Sequence, residues 1–529
     1  ASVLLERIGA EKERLIAEGQ IKRGKPLAEI SAEEKPFKLP VRWEWARLGT
    51  IAKKITDGTH HSPANFPSGD YMYLSAKNIK PWGIDLSSAT FVPRAVHEEI
   101  YARCDPELGD ILYIKDGATT GILTVNTISE PFSLLSSVGV IKPSCGLISA
   151  YMALVMQSPF FYQAMREGMS GVAITRVTLS KLGDAKFPLP PLAEQSRIVT
   201  RVEELMQLCD ALEAKGRLEA AQHAQLVSTL LATLTESATP EALAENWQRI
   251  ATHFDLLLDR PEAVDALEQT LLQLAVRGLL VPQDPADEPA SALLQKIRAE
   301  KDRLIAEGKI KRDKPLPPIA DDEMPFELPR GWEWLRFGDV ALISSGVTLG
   351  RKTPIASPIL LPYLRVANVQ RWHLNLASMK EVVIGRTELE RFQISDGDLL
   401  ITEGGDWDKV GRTAIWRNEL PTCVHQNHVF KARGTSTDWN PVWAELYLNS
   451  AIARSYFASA AKQTTNLASI NMTQLKNCVF PIPPLAEQSR IVARVESLRR
   501  LCADLRQRLT ASQTTQAHLA EALVETAGA

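Results

Sequence analysis

The sequence predicts an α+β protein in which two β-rich α/β domains are joined by an antiparallel pair of long coiled-coil helices. Three observations predict it: a sixteen-residue segment that occurs twice, a similar helical arm before each domain, and a long proline-free helix after each domain. Because one domain-then-helix unit is used twice, we expect an internal repeat with a circular, pseudo-two-fold organisation.

The repeated segment marks the end of each domain. It reads PLPPLAEQSRIVTRVE at 188–203 and PIPPLAEQSRIVARVE at 481–496, and fourteen of the sixteen positions are identical. The prolines end a globular unit, because proline fixes φ and donates no backbone hydrogen bond. A long helix then begins, with Glu194 and Glu487 in its first turn, where negative charge suits the helix dipole.

Composition limits the class of protein. A chain of 529 residues exceeds one core, so we expect roughly two to four domains. No apolar run approaches the length of a membrane span. Six cysteines without a CxxC pair indicate thiols in a reducing, cytoplasmic compartment. The formal charge is −3, so any surface that binds a polyanion must be local.

In chain order, the first element is a helical arm that also occurs twice. Residues 4–27 match residues 293–316 at 18 of 24 positions, and each arm ends in a basic Ile-Lys-Arg turn. Each domain then opens with two tryptophans two residues apart, Trp43 and Trp45 in the first copy. This spacing places both rings on one face of a strand, where core packing is the expected role.

The interiors of the two domains, about 50–187 and 339–480, differ strongly in sequence. Both alternate short apolar runs with Gly, Pro, Asn and Asp turns, which indicates β-rich structure. GDILYIKDG at 109–117 nevertheless aligns with GDLLITEGG at 397–405. A shared frame with different loop residues is expected of two copies of one fold that have different ligand preferences.

The helices after each joint carry an apolar seam with coiled-coil spacing, and we expect the two helices to pack on each other. The seam residues are Ile198, Val202, Leu205 and Leu212 in the first copy and Ile491, Val495, Leu498 and Leu505 in the second. The predicted domains are an N-terminal helical arm (1–35), the first β-rich domain (36–190), a central helical spacer and linker (191–290), a second helical arm (291–325), the second β-rich domain (326–483) and a distal coiled-coil helix (484–529).

The helical block 241–290 has no counterpart after the second joint. We therefore expect the counterpart to precede Ala1 in the natural protein, so that the N- and C-terminal pieces together complete a second copy of the central block.

The signatures of common enzyme classes are missing from the sequence. It contains no GxGxxG, GxxxxGK[ST], GxSxG or HExxH motif, and no Asn-Pro-Pro-aromatic segment of the kind used by amino-methyltransferases. His425 and His428 form a single pair without a third ligand, which is a weak metal signal. The sequence therefore favours a binding protein without a catalytic or metal site over an autonomous nuclease or methyltransferase.

The loops of both interiors carry polar groups suited to DNA. Arg and Lys neutralise phosphates, whereas Asn, Gln and Arg can bond to base edges. In the first domain the candidates are Lys53, Lys54, Thr59, His60, His61, Lys77, Asn78, Lys80, Lys115, Thr119, Thr120 and Arg176. In the second they are Arg351, Lys352, Arg365, Asn368, Gln370, Arg371, Lys409, Arg412, Gln426, Asn427, His428, Thr464, Thr465 and Asn466. Any one of these residues alone is more often a solvated surface residue, so the prediction rests on their clustering in both copies.

On these residues the chain resembles the specificity subunits of type I restriction-modification systems. The markers are the repeated PxPPLAEQSRIV segment, TDGTHHSP at 56–63 and TTNLASINMTQLK at 464–476. The resemblance implies two target-recognition domains, each reading one half of a split DNA site, with the helices as a spacer. It also implies double-stranded DNA, two methyltransferase subunits and restriction subunits as partners.

The resemblance further implies that this chain binds no cofactor and that S-adenosylmethionine, ATP and Mg²⁺ act in the partner subunits. A coiled-coil scaffold that joins two protein-binding domains is the alternative, and it fits the acidic balance equally well. Binding to DNA or heparin that falls steeply with salt would separate the two hypotheses.

Overall fold

The chain forms two compact units, Ala1–Gly216 and Arg217–Ala529. The computed structural model describes residues 1–24, 26–167, 176–350, 355–405, 409–464 and 467–528. Among these residues, no helix is both long and apolar enough to cross a membrane.

The first unit combines short strands with helices that cover them. Its elements are α1 (Ser2–Ala17), β1 (Glu44–Arg47), α2 (Leu48–Ile51), β2 (Ala52–Asp57), β3 (Tyr71–Leu74), β4 (Ile79–Lys80), β5 (Gly83–Ile84), β6 (Thr90–Val92), α3 (Arg94–Arg103), β7 (Ile111–Ile114), β8 (Leu123–Val125), β9 (Ser133–Leu134), β10 (Val138–Pro143), α4 (Ser149–Gln157), α5 (Pro159–Arg166), α6 (Leu179–Asp184), β11 (Lys186–Leu189) and the start of α7 (Leu192–Thr235).

The second unit begins with the end of α7 and continues through a helical block into a second β-rich part. Its further elements are α8 (Pro240–Thr252), α9 (Phe254–Leu257), α10 (Pro261–Val276), α11 (Ala290–Ala306), β12 (Glu333–Arg336), α12 (Phe337–Val340), β13 (Ala341–Ser345), β14 (Pro358–Leu364), β15 (Lys380–Gly385), α13 (Leu389–Phe392), β16 (Leu399–Thr402), β17 (Gly404–Gly405), β18 (Thr413–Ile415), β19 (Val424–His425), β20 (Val429–Gly434), α14 (Pro441–Leu448), α15 (Ala451–Ala460), β21 (Lys462–Thr464), β22 (Leu467–Ser469), α16 (Met472–Asn477), β23 (Val479–Ile482) and α17 (Leu485–Gly528).

The four-stranded sheet is alike in the two units, as is one three-stranded sheet, which confirms the predicted internal repeat. The four-stranded sheets have the orders β2-β10-β7-β8 and β13-β20-β16-β18, and the three-stranded sheets have the orders β6-β3-β9 and β15-β14-β19. In each unit the tryptophan-bearing strand pairs with the strand before the joint, so that Trp45 lies opposite Pro188 and Trp334 lies opposite Pro481.

Local sequence sets the helix that precedes each joint. The side chain of Thr178 accepts the backbone N–H of Lys181 at the start of α6, and the side chain of Asn471 accepts that of Gln474 at the start of α16. Such caps satisfy backbone donors that have no partner inside the helix. The short helix then leads into the proline-rich strand that closes each domain.

The seam of α17 packs inside the second unit. Ile491 and Val495 are buried in the domain core, and Cys502 lies in a cluster with α10. The last turns of α7, through Val227 and Leu231, belong to the same cluster. The block 241–290, which the sequence showed only as additional helix, therefore supplies the partner for the second seam.

The seam of α7 differs in exposure. Ile198 packs against the core of the first unit, whereas Leu205 is 45% exposed and Leu212 is 60% exposed. The role of these seam residues as a coiled-coil contact stays a prediction.

Candidate nucleic-acid interface

In each unit, two strands of the four-stranded sheet end at the same edge. β2 and β7 are both antiparallel to β10, and β13 and β16 are both antiparallel to β20, so their C-terminal ends coincide. We call this the loop edge. It consists of residues 57–61 and 115–120 in the first unit and of residues 345–350, 403–405 and 426–428 in the second.

In each unit, a glycine in the first loop of the loop edge lies in close contact with the backbone of a neighbouring strand. At Gly58, a Cβ would lie 1.9 Å from the carbonyl oxygen of Leu134, and at Gly346 it would lie 1.9 Å from that of His425. The next residues, Thr59 and Val347, donate their N–H groups to these same oxygens at 2.8 and 2.7 Å. The loop backbone therefore takes the same path in both units, and only glycine allows this approach.

The loop edge of the first unit is built around a buried carboxylate. Asp57 Oδ2 lies 3.2 Å from Lys115 Nζ, and Asp57 Oδ1 lies 2.5 Å from Arg103 Nη2 and 3.6 Å from His60 Nε2. Lys115 is itself buried. The prediction of Lys115 as a surface contact to DNA is thus corrected: its ammonium neutralises Asp57 inside the loop edge.

The neighbouring turn presents a second carboxylate with an exposed arginine. Arg176 Nε lies 3.3 Å from Asp116 Oδ1, and the backbones of the two residues form a β-bridge. Thr119 is exposed beside them, as a DNA contact requires. Thr120 is buried and donates its hydroxyl to the carbonyl of Gly117 at 2.6 Å, so its predicted contact to DNA is corrected to a turn-forming role.

The loop edge of the second unit has the same strand arrangement as the first but carries different side chains. Glu403 directly follows β16, as Lys115 follows β7, and its carboxylate lies 2.5 Å from His428 Nδ1. Gln426 and Asn427 are held by their backbone N–H groups, which donate to the carbonyls of Leu364 and Val347. Their side chains are half-buried, and His428 is exposed.

A second group of candidates meets at the start of β18 in the second unit. Arg412 Nη1 donates to Gln370 Oε1 at 2.7 Å, and Gln370 Nε2 donates to the carbonyl of Ala367 at 2.9 Å. Arg371 Nη1 donates to Asn449 Oδ1 at 3.3 Å. The structure thus brings together three of the predicted residues, from two separate loops.

Two candidates that align between the copies are corrected. Asn78 and Asn368 are buried, and each side-chain oxygen accepts a backbone N–H three residues earlier. Each side-chain nitrogen donates to a backbone carbonyl seven residues later, Asp85 or Asn375. Because both the oxygen and the nitrogen of each amide are hydrogen-bonded within the turn, neither side chain is free to bond to DNA.

The remaining candidates are spread over the surface. Lys54 pairs with Asp105 at 2.6 Å, and the Thr59 hydroxyl donates to the carbonyl of His61. Arg365 donates to the carbonyl of Ser378. Half-buried or exposed positions are held by Lys53, Lys77, Lys80, His61 and Lys409. Arg351, Lys352, Thr465 and Asn466 lie outside the described residues, as does the side chain of Thr464.

Other ion pairs, each with a buried carboxylate, stabilise the fold of the two domains. Lys142 Nζ lies 3.0 Å from Asp110 Oδ2 in the first unit, and Arg433 donates to both carboxylate oxygens of Asp398 at 2.6 Å in the second. Each pair links the strand in the middle of the sheet to the turn before its neighbour. Burial lowers the pKa of His425 to about 4, so this imidazole is neutral and bonds to the carbonyl of Val429 through Nδ1 at 2.7 Å.

Sequence reasoning missed Asp57, Arg103 and Glu403. Asp57 was visible in the TDGTHHSP segment, but a search for cations and amides passes over a carboxylate. Arg103 is the last residue of α3, and its approach to the loop edge depends on tertiary structure. A search for charges at the end of β2 and directly after β7 and β16 would have found Asp57 and Glu403.

A family model described as the type I restriction modification DNA specificity domain matches residues 40–223 and 329–512. The EcoEI and EcoAI type I restriction enzyme specificity subunits of Escherichia coli are each 35% identical, with 100% of this chain and 89% of each relative covered. A solved structure from work on assembly and conformational transition of a type I R-M system has a TM-score of 0.50 at 19% identity, and covers 93% of this chain and 98% of that chain.

The family match covers both β-rich domains and both joints, and the relatives match over the full chain. The chain belongs to the type I restriction-modification DNA specificity family, and its role is DNA recognition by two domains rather than catalysis.

Proposed function

We propose that each recognition domain reads one half of a bipartite, asymmetric DNA site through its loop edge. The long helices set the distance between the half-sites. Two methyltransferase subunits dock on the repeated helical joints, and restriction subunits join the complex. This chain binds no cofactor, while S-adenosylmethionine, ATP and Mg²⁺ act in the partner subunits.

The proposal rests on one observation: the two domains share strand and loop positions but carry different charged side chains at those positions. Asp57 ends β2 where Ser345 ends β13, and Lys115 follows β7 where Glu403 follows β16. The carbonyls of Lys115 and Glu403 accept equivalent N–H groups, from Val177 at 2.8 Å and from Ile470 at 2.9 Å. A buried Asp57–Lys115 pair supports one loop edge, whereas a Glu403–His428 pair forms part of the other, so the two edges present different polar groups and the half-sites should differ.

The repeated joints support the proposed docking of two partners. They are nearly identical in sequence, although the interiors of the domains diverge. A surface that is kept in both copies can serve the same partner twice, whereas the loop edges serve different half-sites. The names of the relatives, specificity subunits of type I restriction enzymes, agree with an assembly that contains further subunits.

The test is methylation mapping by single-molecule sequencing in cells that express this chain with its methyltransferase subunit. We expect one split motif with two short halves and a fixed gap. Replacing residues 50–187 with the equivalent segment of another specificity subunit should change one half only. If an active methyltransferase yields no new motif, the proposal fails and the coiled-coil scaffold of protein-binding domains becomes the better hypothesis.

A further inference from the structure

An arginine of the long helix α17 stacks on a tryptophan of the second recognition domain. The guanidinium carbon of Arg499 lies 4.3 Å from the centroid of the Trp372 ring. Arg499 Nε also donates to Glu268 Oε1 of α10 at 2.8 Å. One side chain therefore links the recognition domain, the long helix and the helix that packs on it.

The tryptophan is held firmly by its own domain. Trp372 has a φ of +69°, a backbone conformation that residues other than glycine rarely adopt. Its backbone N–H donates to the carbonyl of Thr413 at 3.2 Å. The amide of Asn449 donates to the same carbonyl at 2.9 Å and accepts from Arg371. Contacts from the start of β18 and from the residue after α14 thus fix a strained backbone, which places the ring on α17.

The arginine is held as firmly on the other side. Glu268 accepts from Arg506 Nη2 at 2.8 Å as well as from Arg499, and Arg506 also pairs with Asp265 at 2.7 Å. These carboxylates belong to α10, which is packed along α17 in an apolar cluster. The guanidinium of Arg499 therefore has a defined position before it meets the tryptophan ring.

The first copy has the tryptophan without the arginine. Trp82 stands four residues after Asn78, as Trp372 stands four residues after Asn368, and it is 74% exposed. Met206, 57% exposed, occupies the α7 position that Arg499 occupies in α17, fourteen residues after the first residue of the helix. The shared fold does not require the contact, because one copy forms without it.

We propose that the contact between Trp372 and Arg499 positions the second recognition domain on α17 and thereby enforces the gap between the half-sites. This inference rests on the proposed function. Ile491 and Val495 already bury the start of α17 in the domain core. Arg499 lies four residues beyond Val495, which extends the attachment by about 6 Å along α17 and so restrains rotation of the domain about the joint.

The experiment compares variants in the complex with the methyltransferase subunit, with the methylated motif mapped in cells. In Trp372→Ala and Arg499→Met, both half-sites should stay the same, but methylation should rise at sites whose gap is one base pair shorter or longer. We expect about a tenfold rise at these displaced sites, the factor that corresponds to loss of a partly desolvated cation–π contact. Arg499→Lys should restore part of the selectivity, since an ammonium also binds the ring face.

Trp82→Ala is the matched control, and it should methylate only sites with the normal gap. Thermal melting and co-purification with the methyltransferase subunit identify any variant that fails to fold, and either of the two disrupting variants suffices for the test. The inference is wrong if folded, assembled Trp372→Ala and Arg499→Met keep the wild-type gap selectivity, or if they change a half-site. If the wild type itself yields no split motif, the proposed function fails first.

Discussion

At the scale of single residues, alignment between the copies identified residues that hold the shared fold, not residues that contact DNA. Asn78 and Asn368 align between the copies and were predicted to contact DNA, yet they hold a turn common to both domains. Lys115 and Glu403 occupy one position with opposite charge. In these two domains, identity between the copies indicates residues that hold the shared fold, and a difference at an equivalent position indicates a changed loop edge. The sequence contained both signals, but burial was needed to tell them apart.

The close contacts at Gly58 and Gly346 predict that a larger residue at either position lowers the stability of the fold. Gly58→Ala and Gly346→Ala each place a Cβ 1.9 Å from a carbonyl oxygen, so the loop and a β-strand must separate. We expect each substitution to lower the free energy of unfolding by about 1–3 kcal/mol. Urea denaturation measures the loss.

Gly9→Ala is the control for these variants, because it lies in α1 with nothing within 4 Å of the added Cβ. It should be neutral or stabilise the chain by up to about 1 kcal/mol, since alanine is the better helix former. A loss in Gly9→Ala as large as that in Gly58→Ala would show that the close approach is not the cause.

Glu445 predicts a dependence of stability on pH. Burial raises the pKa of its carboxyl to about 7 in the folded chain, from 4.5, and Oε1 accepts the N–H of Ile415. The folded state thus binds the proton more tightly, so this stabilisation is complete below about pH 4.5 and is lost as pH rises through about 7. Glu445→Gln should therefore gain stability relative to the wild type between pH 4.5 and pH 8, by up to about 3 kcal/mol.

Urea denaturation of the wild type and Glu445→Gln at pH 4.5, 6 and 8 measures this gain. The difference between the two proteins must change with pH, whatever constant term the lost carboxyl contributes. A difference of the same size at all three values would mean that Glu445 does not titrate in this range.

At the scale of elements, sequence periodicity located both long helices, and both were found with 44 residues. It could not show what each seam contacts, because an apolar stripe fits any apolar partner. In the second unit that partner is largely α10, which adds ion pairs from Glu268 and Asp265 to arginines of α17. Those pairs link residues more than 200 positions apart in the chain, a distance over which local patterns carry no information.

The two joints should respond differently to the same truncation. Ile491 is buried in the core of the second unit, whereas its equivalent, Ile198, is half-buried in the first. We expect Ile491→Ala to cost about 2–5 kcal/mol, since it leaves a cavity, and Ile198→Ala to cost clearly less. Urea denaturation of the two variants compares them, and the exposed Leu212→Ala should stay within about 0.5 kcal/mol of the wild type. Equal losses at Ile491 and Ile198 would contradict the difference in burial.

At the scale of the whole molecule, the formal charge of −3 agrees with recognition by local chemistry instead of a general basic surface. The duplication itself could be predicted from the sequence, because the joints and arms are similar in sequence in the two copies. The bases could not, because in the proposed function they depend on how buried Asp57 and exposed Arg176 shape one loop edge and Glu403 and His428 the other.

The last prediction concerns the spacer. Inserting four residues after Gly216, within the continuous helix α7, lengthens that helix by about 6 Å, which corresponds to about two base pairs of DNA. Methylation mapping should then find both half-sites unchanged and the gap longer. Replacing four exposed residues of the same stretch without changing its length is the control, and it should keep the original gap. If the insertion left the gap unchanged while the methyltransferase complex stayed active, the distance between the half-sites would be set by something other than this helix.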